Sequence, residues 1–289
     1  MAGNYKHKVL ISIHCLLLLQ CRPPVDETTS KPHWHVGAGP TRGHEDLTRM
    51  AVSAANDHLQ SILGYAPYPK VSLSTDGIRT DNQLVKGNYE TDFPSTKMRD
   101  FYSIPQDADW HHNENIQHIH SMRNKQNGHF LSNRESCELV RQAIKDSTEH
   151  AFFLFDQGRR EEGLYWLGHV THIIQDSFSP AHTERLGPGR TDIQNFCTYG
   201  SKLPNVCFHK AVDLRDRVWK KTWKCSFDPN NRGSSCLRPE AKDAVAATAS
   251  YLKLVGEAIF DKRNLDQALA VFFDDQSMSD RGYFHCVNL

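Results

Sequence analysis

The stretch GLYWLGHVTHIIQDSFSPAHTER, residues 163–185, constrains the chain more than any other. Leu164, Leu167, Ile174 and Phe178 recur at helical spacing, with Gly158 and Pro180 as breakers, so the pattern predicts a helix over 159–178. On it His172 and Asp176 are four residues apart. They project from one face a turn apart, where a ring nitrogen and a carboxylate can reach one ion. His182 follows Pro180, and a second His-x3-Asp pair, His209 and Asp213, stands in FHKAVDLRDR. Two such helices facing each other, with His182 between them, would gather five nitrogen and oxygen ligands of the types zinc takes. One isolated pair of this kind is ordinarily a solvated helix face. Two pairs with Pro-Ala-His between them make a metal cluster the stronger reading.

The composition agrees. The 289 residues include 17 histidines, about 6% where roughly 2–3% is usual. The 34 basic and 34 acidic residues cancel, which disfavours a large basic face for nucleic acid and leaves any phosphate chemistry dependent on local cations, metals included. Other catalytic arrangements fit poorly. His44-Glu45 lacks the second histidine of HExxH, and neither GxSxG nor CxxC occurs.

Lys6 and Lys8 precede an apolar run from Val9 to Leu19, too short to span a bilayer, so residues 1–21 read as a secretory signal peptide. Gln20 stands where a lipoprotein signal wants a small residue before Cys21, which argues against lipidation. Residues 22–33, RPPVDETTSKPH, read as a linker or propeptide, and 34–289 as one domain. Six cysteines lie beyond the leader: Cys137, Cys197, Cys207, Cys225, Cys236 and Cys286. In an exported chain they suggest up to three disulfides, with local loops available to Cys197 and Cys207 and to Cys225 and Cys236.

Helical periodicity is expected over 47–63, 135–156, 159–178, 205–223, 240–261 and 264–274, while 70–132 reads as polar and irregular. No segment alternates long enough to predict a strand. The expected fold is all-α, a single multi-helix domain around the metal cluster.

The spacing His172-x3-Asp176-x5-His182, followed by His209-x3-Asp213, resembles the centre of the zinc-dependent phospholipases C and the related single-strand-specific zinc nucleases. The WHVGAGPTRGH stretch resembles the start of their mature chains, where a tryptophan's amino and carbonyl groups bind zinc and a histidine follows; here these are Trp34 and His44. That likeness requires cleavage before Trp34, which is expected to be the mature N-terminus. GNYETDFP resembles the family's aspartate segment and points to Asp92, with Glu90 the weaker choice. IQHIHSMRN offers His118 or His120, with His120 preferred.

The resemblance implies three zinc ions. One would be held by Asp92, His120, His172 and Asp176, a second by Trp34, His44 and a shared Asp176, and a third by His182, His209 and Asp213. Asp92 would also orient the attacking water as the catalytic residue. The implied activity is that of a secreted, monomeric phosphodiesterase acting on phospholipid at a membrane surface, a phospholipase C releasing diacylglycerol and a phosphorylated headgroup. Phe93 after Asp92 and the Trp-to-His spacing resemble the phospholipases; Asp213 in place of Glu resembles the nucleases, which act on single-stranded nucleic acid. A zinc-stabilised extracellular binding protein without turnover is the third alternative. His169, three residues before His172 on the same helix, reads as a support for the ligands or, more readily, as a partly buried structural histidine, Tyr165 and Trp166 as packing or rim residues, and Trp219 and Trp223 as a membrane-surface patch or a cover of the core.

Overall fold

The computed structural model describes residues 43–71, 82–107, 110, 113–187, 190–199, 203–207, 209, 236–274 and 282–287. They lie within one unit, Pro32–Leu289, and are mainly helical, as expected. Seven α-helices occur among them: α1 (His44–Leu63), α2 (Gln83–Asp92), α3 (Thr96–Phe101), α4 (Asn133–Asp156), α5 (Arg160–Asp176), α6 (Pro239–Phe260) and α7 (Leu265–Asp274), with a 3-10 turn at Gln117–His120.

Local chemistry sets several of the ends. Ser132 and Glu135 close a capping box on α4, the Asn82 side chain accepts from Leu84 and Val85 at the start of α2, and Pro239 opens α6. Gly64, at φ 77°, ends α1 in the left-handed conformation that L side chains resist.

Helix α5 forms the spine. Every residue from Gly163 to Asp176 is buried, as befits a helix packed on several sides. It lies against α2 and α4, while α1 packs on α6. The approach of α2 to α5 is unusually close because two glycines interlock. A Cβ on Gly87 would lie 1.8 Å from the Tyr165 carbonyl oxygen, and one on Gly168 would lie 1.9 Å from that of Leu84. One apolar core joins the helices, with Leu47, Leu84, Ile144, Trp166, Ile173 and Tyr251 fully buried.

The expected helices at 47–63, 135–156, 159–178, 240–261 and 264–274 are present with ends shifted by a few residues. Most of 205–223 lies outside the described residues. Two expectations need correction. The stretch 70–132 contains α2, α3 and the 3-10 turn, because α2 buries Gly87, Asn88 and Thr91 beside Leu84 and Val85, so its inner face carries no apolar stripe. Short strands also exist. β1 (Lys125–Gln126) and β2 (His129–Phe130) form a hairpin across Asn127 and Gly128, both at positive φ, and β3 (Thr183–Leu186), β4 (Asp192–Phe196) and β5 (His285–Cys286) form a small sheet. β3 and β4 run antiparallel, β4 and β5 parallel. Strands of two to five residues are too short to show alternation.

Disulfides join Cys137 to Cys286 and Cys197 to Cys207, the second closing the local loop expected from the sequence. Cys236 is disulfide-bonded as well.

Candidate metal centre

The ends of five separate segments meet at one buried place. His44 is the first residue of α1, Asp92 the last of α2 and His120 the last of the 3-10 turn. His172 and Asp176 occupy the final turn of α5, and His182 sits in the turn after Pro180. All but Asp92 are essentially buried, and the Asp92 side chain is only 10% exposed.

Asp176 is the hub. Its Oδ2 lies 3.0 Å from His172 Nε2, 3.2 Å from His120 Nδ1 and 3.5 Å from His182 Nδ1, and its Oδ1 is 3.3 Å from His44 Nε2. Asp92 Oδ1 is 3.5 Å from both His120 Nδ1 and His172 Nε2. Ligands about 2.0 Å from a tetrahedral ion stand about 3.3 Å from one another, so these separations are those of atoms converging on common ions. Two groups have ligand atoms within 4.8 Å of each other throughout: His44, Asp92 and His172, and His120, His172 and Asp176. These buried clusters can hold a metal ion.

Second partners turn three of the rings. His172 Nδ1–H donates to the Asn88 carbonyl at 2.9 Å, His44 Nδ1–H to Gln175 Oε1 at 2.8 Å, and His182 Nδ1–H to the His120 carbonyl at 2.6 Å. In His172 and His44 this places the electron pair on Nε2, the nitrogen that faces Asp176 and the arrangement that orients imidazole toward a metal, whereas in His182 it is Nδ1 itself that lies 3.5 Å from Asp176. Gln175 is itself fixed, accepting from Asn88 Nδ2 and donating to Thr48 Oγ1 at 2.9 Å. Gln175→Leu should therefore weaken metal binding about 10- to 100-fold, measured by competition with a chelator, while the fold survives.

No family model, curated protein or solved structure matches this chain. The centre thus stands on its own geometry.

His209 is fully buried, with its ring 5.1 Å from that of His182 and 5.1 Å from Tyr199. The Cys197–Cys207 loop presents both histidines: Cys197 N–H donates to the His182 carbonyl at 2.8 Å, and His209 N–H to the Thr198 carbonyl at 3.1 Å. Trp34 and Asp213 lie outside the described residues, as do Trp219 and Trp223. Of the paired alternatives, His120 joins the cluster, whereas His118 Nδ1 is engaged by the Asn124 side chain at 2.9 Å. Glu90 accepts the Tyr165 hydroxyl at 2.6 Å and is not among the converging groups. Trp166 packs in the core. Phe93 is 56% exposed beside Asp92 and stacks on Tyr89 with ring centres 5.1 Å apart.

Sequence reasoning missed Asn88 and Gln175. Gln175 shares a face with His172 three residues before it, and Asn88 stands one turn before Asp92, so helical spacing from each assigned ligand was the available signal.

The charges are mutually dependent. Burial pulls the His172 imidazole down, but the Asp176 and Asp92 carboxylates more than reverse this and push it up to about 10. Burial raises Asp176, and His182 and His172 outweigh it, holding the carboxyl well below its ordinary range. In metal-free protein a His172 raised in this way contributes stability that is fully present below its unfolded value near 6.5 and is lost as pH rises through about 10. Denaturant unfolding of metal-free protein should accordingly show the parent's advantage over His172→Asn shrinking between pH 7 and pH 10.5.

Proposed function

We propose that the protein is a secreted zinc metallophosphodiesterase, and that within this class it is a phospholipase C acting on phospholipid at a membrane surface. The observation that carries the reading is the shared pair Asp92 and Asp176, ringed by histidines of which two, His172 and His44, have their other ring nitrogen tied to an oxygen acceptor. Such a mixed, anion-centred nitrogen and oxygen set suits zinc. The three-ion arrangement adds Trp34 and Asp213 to the residues already described.

Zinc held there would supply hydroxide near neutral pH and polarise the phosphoryl oxygens. The chain's own residues do the rest. Asp176 anchors the cluster from a rigid helix end. Asp92, its more open carboxylate, orients the attacking water, whose oxygen bonds to phosphorus while the bond to the glycerol oxygen breaks. Exposed Phe93, backed by Tyr89, offers an apolar aromatic contact for the headgroup beside Asp92. The disulfides suit an extracellular setting, and no helix among the described residues is long and apolar enough to cross a membrane.

A single-strand-specific nuclease or nucleotidase is the second reading, favoured by Asp213 in place of Glu and by the same aromatic pair, on which a base would stack. The test is metal analysis of purified protein beside assays on phosphatidylcholine micelles and single-stranded DNA, with and without chelator. Three zinc ions per chain and chelator-sensitive headgroup release are expected. Cleavage of DNA alone selects the nuclease, zinc without turnover selects a binding protein, and absence of bound metal overturns the reading.

A further inference from the structure

We propose that His169 is a positioning residue of the metal centre, holding Asp92 in place through a one-way chain of hydrogen bonds from Tyr102 to Thr91. The assignment rests on the metal reading above and adds a residue that the ligand set does not contain.

His169 is fully buried on α5, three residues before His172. Its Nδ1 lies 2.8 Å from Thr91 Oγ1 and its Nε2 lies 2.6 Å from the Tyr102 hydroxyl. The protons can be assigned from the partners. Thr91 has one hydroxyl proton and gives it to the Gly87 carbonyl at 3.0 Å, so its oxygen must accept from His169 Nδ1–H. The ring is then the neutral Nδ1–H tautomer, its Nε2 is an acceptor, and Tyr102 donates. The direction is Tyr102 to His169 to Thr91 to Gly87, with no reversal that keeps all three bonds.

Thr91 immediately precedes Asp92 at the end of α2. Its carbonyl also accepts from Trp110 Nε1 at 2.8 Å. A helix end is ordinarily the part that frays. Here the residue before the ligand is held by both its hydroxyl and its carbonyl, and one of those ties comes from the helix that carries His172 and Asp176. The chain thereby sets Asp92 at equal distance, 3.5 Å, from His120 Nδ1 and His172 Nε2.

The test separates the two ring nitrogens. Asparagine can reproduce a donor at the Nδ1 position and glutamine an acceptor at the Nε2 position. Cobalt(II) is titrated into metal-free parent, His169→Asn, His169→Gln and Thr91→Val, recording visible absorption and affinity, with thermal unfolding alongside. His169→Asn should keep the parent's spectrum and bind within about threefold of it, while His169→Gln and Thr91→Val should bind about 10- to 100-fold more weakly with altered bands. Equal behaviour of the Asn and Gln variants, or a parent spectrum in Thr91→Val, would reduce His169 to packing. If either variant fails to fold, Thr91→Ser, which keeps the hydroxyl, must restore the parent spectrum for the proposal to stand. A parent that binds no cobalt overturns the metal reading and this assignment with it; a parent that binds cobalt confines any failure to His169.

Discussion

Asp176→Asn should leave a folded protein that no longer retains metal and has lost at least about a thousandfold in any metal-dependent turnover. The expectation follows from the number of partners one carboxylate serves: four histidine rings approach its two oxygens within 3.5 Å. An amide of the same shape removes the negative charge while its NH2 group presents hydrogens to one part of the cluster. No neighbour replaces the charge, since Asp92 meets two of the four rings. Metal analysis after gel filtration, with circular dichroism as the check on folding, reads the result. Parent-level metal in Asp176→Asn would mean that the ion sits elsewhere.

Gly168→Ala should be among the most damaging single substitutions outside the ligand set. A methyl group there would lie 1.9 Å from the Leu84 carbonyl oxygen and 3.0 Å from the Asn88 backbone nitrogen. Neither is the end of a flexible side chain, so α2 and α5 must move apart. The expected loss is about 3 kcal/mol or more, at the upper end for overpacking because rigid backbone must shift. The consequence reaches the metal. Separating these helices draws Asp92 on α2 away from His172 on α5 and strains the bond from His172 to the Asn88 carbonyl. Urea unfolding should show the stability loss, and metal titration of the remaining folded fraction should show weaker binding. A variant as stable as the parent would disprove the close approach of the two helices.

The legible parts of this molecule were those written in periodicity and spacing. Helices α1, α4, α5, α6 and α7 carry apolar stripes, and the His172, Asp176 and His182 spacing placed three groups at one point. Asp92 and His120 required the family resemblance, because a lone carboxylate and one of two nearby histidines carry no period of their own; they do converge on that point. Helix α2 was illegible for a related reason. Its buried face is chosen for closeness and hydrogen bonding, through Gly87, Asn88 and Thr91, and such residues imitate a loop in one dimension. The Asn127-Gly128 turn was a readable hairpin signal, but two-residue strands gave it nothing to join. The spacing of His169 from His172 left a supporting role and a structural one both open, because its two hydroxyl partners stand 78 and 67 residues away in sequence and are brought to it by the fold.

The loop closed by Cys197 and Cys207 has a consequence in time and place. Between them these residues secure the backbones that present His182 and His209, yet the bond that closes the loop forms only where thiols are oxidised. In a reducing cytosol the nascent chain would carry its histidines without that clasp. Where thiols are oxidised the clasp shuts, and the two rings stand 5.1 Å apart, tilted by 59° to one another. Redox compartment is thereby written into the centre as a condition of its assembly.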